Sequence, residues 1–203
     1  MKERELLEKY LPENSIESVL NWVIKNNIHL KISKKRSTKF GDYRPPGRDN
    51  PVHRISINYN LNQYSFLITF VHELAHLVVW EKHKNKVSPH GKEWKTEYRL
   101  LMEPLLDQNI FPDDLVNVLS KSIINSKASS SSDINLSRVL KKYDNQSENT
   151  HLEDIPINSV FQTESGINFI KGEKRRTRYL CVKVTDNRKY LFHPLTPVTE
   201  VPQ

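Results

Sequence analysis

Apolar positions along the chain follow two periods, and the change from one to the other marks out the elements. Ile16, Val19, Leu20, Val23 and Ile24 recur at helical spacing behind Ser15, which predicts a helix over 15–26 with that serine as its cap. Alternation then takes over in His29–Ser33, Lys39–Tyr43 and Arg54–Tyr59, three short strands, with Arg44-Pro-Pro-Gly-Arg-Asp-Asn-Pro51 a loop by its turn chemistry. From Tyr64 to Glu81 the period is helical again. Lys92–Leu106 predicts a second long helix, with Trp94, Tyr98, Leu101 and Leu105 along one stripe, and Leu115, Val118, Leu119 and Ile123 predict a third.

Ser126-Lys-Ala-Ser-Ser-Ser-Ser-Asp133 reads as a linker, followed by a short helical stretch over Leu136–Tyr143. The remainder alternates: Ser159–Thr163, Asn168–Lys171, Arg178–Val184 and Lys189–Phe192 read as strands, separated by turn signals at Ser165-Gly166 and Asp186-Asn187. The fold class is α+β. A helix-dominated domain with a small sheet is expected over residues 1–125, a linker with a short helix over 126–156, and a small all-β appendage over 157–203.

Composition narrows this picture. The 203 residues contain one cysteine, Cys181, which excludes a disulfide framework and any multi-cysteine metal site within the chain. No apolar run approaches the ~20 residues of a membrane span. The best candidate, Phe66–Trp80, is broken by His72, Glu73 and His76, and the acidic N-terminal residues do not resemble a signal peptide. A cytoplasmic protein with no membrane partner is expected. The net charge of +7 is concentrated: residues 31–54 hold eight basic and two acidic residues, and residues 171–203 hold eight and three. Two basic segments flanking a mildly acidic middle point to a polyanionic partner.

The chemistry lies in His72-Glu73-Leu74-Ala75-His76. Residues four apart share one face of a helix, so the two imidazoles can grip one metal ion. The glutamate between them lies about 100° around the helix from His72, where it can reach a metal-bound water. On the helical wheel His76, Ser65 and Thr69 cluster near His72, while Phe66, Leu67, Phe70, Leu74, Leu77 and Val78 cover the opposite side. Two histidines thus emerge from the polar face of an otherwise buried helix.

A catalytic zinc needs a third protein ligand. His83 is about 10.5 Å further along the same helix axis than His76, too far for one ion. Val79 stands where a glycine would have to break the helix to return a nearby histidine. Cys181 sits in an apolar strand and is better placed as a packed cysteine. Glu97 on the second helix would complete a His-His-Glu set. His90 is the stronger candidate: it follows Ser88-Pro89, a helix-start signal, and precedes Gly91, which leaves room beside the ring. Read as the first turn of the second helix, it lies one turn before Trp94 on the core-facing stripe.

His72-Glu-Leu-Ala-His76 followed by Ser88-Pro-His-Gly-Lys-Glu-Trp94 resembles the SprT-like metalloproteases, relatives of Spartan. Arg36-Ser-Thr-Lys-Phe-Gly-Asp-Tyr43 and Ile57-Asn-Tyr-Asn60 are similar to the strands preceding that family's active-site helix, and the resemblance spans about residues 12–107. It implies a minimal zincin fold, one zinc ion held by His72, His76 and His90, and Glu73 as general base. It also implies protease activity linked to DNA, with DNA–protein crosslinks as the substrate class. Many family members carry a four-cysteine zinc ribbon; with one cysteine, these 203 residues do not contain one.

The basic segments fit a nucleic-acid partner. Lys174, Arg175, Arg176 and Arg178 lie within five positions, and Lys34, Lys35 and Arg36 lead the other segment, interleaved downstream with Phe40 and Tyr43. Lys and Arg would contact phosphates, and the aromatics would stack on unpaired bases. The alternative for the C-terminal run is a charged hairpin that discourages aggregation. The function expected is a zinc-dependent endopeptidase acting on DNA-bound protein. The alternatives are a nucleic-acid-binding protein with a structural or degenerate metal site, and a zinc amidase with a closed small-molecule pocket.

Overall fold

The computed structural model describes residues 2–36, 38–125, 133–144 and 150–201, which fall into two compact units, 1–145 and 146–203. The architecture is α+β, with helices dominating the first unit and a five-stranded sheet the second.

The first unit opens with α1 (Lys2–Glu8), a helix the apolar spacing does not announce; Leu7 and Leu11 nevertheless reach the core. A single 3-10 turn, Glu13–Ser15, leads into α2 (Ile16–Lys25). Ser15 does not cap α2 through its side chain. It is buried, and its Oγ donates to the Pro12 carbonyl at 2.7 Å, closing the preceding turn. Asn27, at φ 48°, then turns the chain into β1 (Ile28–Ser33).

β1 runs parallel to β3 (His53–Asn58), and β2 (Gly41–Arg44) pairs antiparallel on the other side of β3, giving the order β1-β3-β2. β2 is therefore an edge strand. Ile55 and Ile57 of the central strand are fully buried in the same core as α3 (Gln63–His83). Asn62 caps α3 by accepting from the Ser65 N–H at 2.9 Å. Apolar residues surround most of this helix, including Phe66, Leu67, Phe70, Leu74 and Leu77, so the buried polar residues Thr69 and Glu73 stand out. α4 (Lys92–Leu106) packs along α3, and α5 (Asp113–Asn125) follows.

α6 (Ile134–Lys141) differs from expectation. The sequence pattern assigns it to a connector, but Leu136 and Leu140 are buried in the core of the first unit, and Asn62 donates to the Leu140 carbonyl at 2.9 Å. The serine-rich stretch before it, residues 126–132, lies outside the described residues.

The second unit is an antiparallel sheet of order β7-β6-β5-β4-β8, formed by β4 (Val160–Gln162), β5 (Asn168–Arg175), β6 (Arg178–Lys183), β7 (Lys189–Phe192) and β8 (Thr199–Glu200). Phe161, Phe169, Cys181, Leu152, Ile155 and Val198 form its core, so the lone cysteine is a packed side chain. No helix among the described residues is long and apolar enough to cross a membrane.

Candidate metal centre

Because α3 presents residues four apart on one face, His72 and His76 bring their Nε2 atoms to 3.3 Å. His90 enters from the segment ahead of α4 and places its own Nε2 3.0 Å from each of them. The three nitrogens form a compact triangle, the one such cluster of possible metal donors among the described residues. His90 is not in the first helical turn as the sequence suggested. α4 starts at Lys92 with Gly91 as its N-cap, and His90 lies just before it with φ 58°. At Gly91 a Cβ would meet the Ser88 carbonyl oxygen at 2.9 Å, so the close approach of the Ser88 main chain favours glycine there.

Trp94 forms the floor of the cluster. It is 1% exposed, its ring centroid lies 4.6, 5.5 and 4.8 Å from those of His72, His76 and His90, and it stacks on Tyr98. This apolar floor disfavours charge on the imidazoles. Burial, reinforced by the neighbouring histidines, lowers His72 to about 3; burial and His90 lower His76 to about 4, and burial lowers His90. Neutral imidazoles are the form that coordinates a cation.

Glu73 is 7% exposed. Burial pushes its carboxyl up to about 7, helped by nearby Asp42 and opposed by a hydrogen bond from the Tyr43 main-chain N–H. Asp42 itself is raised by burial, but Lys39 at 2.6 Å and Arg44 at 2.9 Å outweigh that and hold it below the usual carboxylate range. The Glu73 side chain fits only because residue 41 is glycine. A Cβ at Gly41 would lie 2.6 Å from Glu73 Oε1, 2.8 Å from its Cγ and 2.7 Å from Thr69 Cγ2.

These groups line an open cleft of about 430 Å³, bounded by Thr38–Tyr43 on one side and by Thr69, His72, Glu73, His76 and His90 on the other. The segment entering β2 is clamped from behind. Arg36 donates to Asn58 Oδ1 (2.8 Å) and to the Ser56 hydroxyl and carbonyl (3.1 and 3.2 Å), while Asn58 Nδ2 donates back to the Arg36 and Lys39 carbonyls. The Arg36 guanidinium is thus committed within the fold, whereas Lys34 and Lys35 are exposed. Tyr43 is half-buried, its hydroxyl 3.0 Å from His53 Nδ1, and the other His53 nitrogen lies 3.0 Å from Glu81. The exposed aromatics of this region are Phe40 and Tyr59.

Of the other candidates, Glu97 is paired with Lys82 at 2.7 Å, and neither it nor His83 joins the triangle. Cys181, Lys174, Arg175, Arg176 and Arg178 belong to the second unit. Sequence reasoning missed Gly41 and the floor role of Trp94. Trp94 was visible in an apolar stripe and in the Ser88–Trp94 motif, and Gly41 inside the Lys39–Tyr43 strand and the Arg36–Tyr43 motif, with neither role assigned.

The depressed histidines make the metal-free protein acid-sensitive. Their folded pKa values lie below the unfolded value of 6.5, so their contribution is whole above about pH 6.5 and is lost as pH falls through that value towards 4 and 3. Glu73, raised from 4.5, acts oppositely over the same window, so the test belongs in a metal-free Glu73→Gln protein. Its urea midpoint should fall between pH 7 and pH 5; a level midpoint would contradict the burial of neutral imidazoles.

Comparison with known proteins places this geometry. Protein SprT of Erwinia tasmaniensis is 63% identical over 35 residues, which is 17% of this chain and 20% of that protein. Protein SprT of Enterobacter sp. (strain 638) is 63% identical over 35 residues, 17% of this chain and 21% of its own. Protein SprT of Escherichia coli O1:K1 / APEC is 75% identical over 24 residues, 12% and 14% of the two chains. The aligned stretches thus span about a fifth or less of these relatives. No solved structure gives a significant match. The SprT-like family model matches residues 10–112, more than half of the chain and all of α2 to α4 with the three histidines and Glu73, and the chain belongs to the SprT-like family.

Proposed function

We propose that the protein is a zinc-dependent endopeptidase acting on DNA-associated proteins, with one zinc ion held by His72, His76 and His90 and with Glu73 as general base. The observation that carries this reading is the nitrogen triangle. Three nitrogens bound tetrahedrally at about 2.0–2.1 Å sit about 3.3–3.4 Å apart; the three Nε2 atoms here are 3.0 to 3.3 Å apart. The donor set fits, and it is incomplete in a useful way. A structural zinc takes four protein ligands, and the cluster among the described residues has three.

When bound, zinc supplies a Lewis acid that polarises a carbonyl and acidifies water. Glu73 does the proton work. It takes a proton from the attacking water and returns it to the leaving amine as the carbon–nitrogen bond breaks. Its burial beside Gly41 and Thr69 limits the positions open to the carboxylate, and in the metal-free protein that burial raises its proton affinity. The cleft runs beside β2, an edge strand that can pair with an extended peptide, and it is open, which favours a polypeptide over a small amide. The basic segments and the resemblance to Spartan-related proteases support the DNA-associated substrate.

The direct test incubates zinc-loaded protein with a substrate protein crosslinked to DNA and with the same substrate free of DNA. New termini, read by mass spectrometry, should require zinc and increase with DNA. Intact substrate in every zinc-loaded reaction would remove the peptidase reading. Gly41→Ala offers a finer check. The colliding atoms are mostly the Glu73 side chain, so the fold should lose only ~1–3 kcal/mol, while a carboxylate displaced by ~1 Å costs ~100-fold in rate. Zinc content should be unchanged, and wild-type cleavage by Gly41→Ala would show that Glu73 has other room.

A further inference from the structure

The basic run of the second unit is built as a projecting finger. β5 and β6 pair out to Arg175 opposite Arg178, but β4 covers β5 only over Asn168–Ile170 and β7 covers β6 only over Tyr179–Val182. Residues 173–178 therefore stand clear of both neighbouring strands, and all six are exposed. Strand alternation puts Lys174, opposite Tyr179, on one face and the Arg175–Arg178 pair on the other. Arg176 occupies the tip in a left-handed turn, φ 54°. Basic residues thus occupy both faces and the tip of the finger, with one acidic residue, Glu173, at its base.

Two further details separate this from a solubilised surface. Like charges placed directly opposite each other destabilise a strand pair, and protection of an edge does not require two facing arginines. None of the four residues makes an ion pair with an acidic side chain among the described residues. By contrast Lys171, a few residues back on the same strand, is turned inward and is 2% exposed, its Nζ donating to the Ile155 and Glu153 carbonyls at 2.5 and 3.3 Å. Lys171 serves the fold from inside; the four charges beyond it are exposed and carry no ion pair among the described residues.

We propose that this finger inserts into the major groove of duplex DNA, with Lys174, Arg175, Arg176 and Arg178 contacting phosphates on both walls. The major groove of B-DNA, ~12 Å wide, admits a two-stranded ribbon, whereas the major groove of A-form RNA is deep and narrow. A ribbon charged on both faces matches a groove with phosphates on both sides; a flat anionic surface would meet only one face. The finger rests on the nucleic-acid half of the function proposed above and not on the zinc chemistry.

The test uses the full chain and a labelled 20-base-pair duplex, with single-stranded DNA, double-stranded RNA and phosphatidylserine vesicles as competitors. Wild type should prefer the duplex DNA. Replacing Lys174, Arg175, Arg176 and Arg178 together with alanine should weaken duplex binding ~10-fold or more at 0.1 M salt and make the log K against log salt slope shallower by about 3.6. A charge-preserving variant, Arg175→Lys, Arg176→Lys and Arg178→Lys, should bind within a few-fold of wild type, and both variants should melt like wild type. Unchanged affinity and slope in the alanine variant would overturn the proposal, as would preference for single strands, RNA duplex or vesicles. Zinc-dependent cleavage of a denatured, DNA-free protein is read alongside. Its absence in wild type, from this reaction and from the same one with DNA-crosslinked substrate, would remove the peptidase and leave the duplex result standing.

Discussion

Glu73→Gln should keep its zinc and lose peptide hydrolysis by ~100- to 10,000-fold, the range that a positioned general base contributes. The substitution is close to isosteric, so the side chain still fills the space behind Gly41, where a Cβ would lie 2.6 Å from its oxygen. The amide oxygen can still accept from the Tyr43 N–H that orients the carboxylate. What it cannot do is accept a proton from water. Removing an ionisable group that burial already disfavours should leave folding stability unchanged or raise it, so lost activity could not be ascribed to unfolding. Zinc content by mass spectrometry and cleavage of a DNA-bound substrate are the two readouts. Cleavage within a few-fold of wild type would remove Glu73 from the role of base.

The parts of this site that were legible in the sequence are the local ones. His72, Glu73 and His76 are placed by one helix, and helical period alone predicts which faces they take. His90 was legible as a ligand candidate but not in its conformation, because a Ser-Pro pair signals a helix start without fixing how many residues precede the first turn. Gly41 shows where the period stops helping. Its importance comes from Glu73, which is 32 positions away in sequence and in contact only after β2 docks on α3. Arg36 illustrates the same limit for charge. In sequence it is one of three consecutive basic residues, and only the fold distinguishes a guanidinium wired to Asn58 and Ser56 from the exposed lysines beside it. α6 was legible as a helix but its docking was not, for a related reason: two leucines in a short polar segment do not reveal that a core is waiting for them.

His90→Gly should separate metal binding from folding more cleanly than any other substitution at the centre. Residue 90 sits at φ 58°, a region that costs a non-glycine residue ~1–2 kcal/mol. Glycine adopts it freely, so the metal-free variant should be at least as stable as metal-free wild type. The same change deletes one of the three nitrogens proposed to hold the zinc, each 3.0 to 3.3 Å from the other two. Losing a second-sphere partner of a metal ligand already costs 10- to 100-fold in affinity, so losing the ligand itself should cost ~100-fold or more. Glu97→Ala is the matched control. Glu97, a mostly buried side chain, holds the half-exposed Lys82 at 2.7 Å between α3 and α4 and lies outside the triangle, so zinc affinity should stay within a few-fold of wild type. Chelator competition measures both. Stoichiometric, tightly held zinc in His90→Gly, or its loss in Glu97→Ala, would mean that the centre takes its third ligand from α4 and that the triangle of imidazoles is not the metal site.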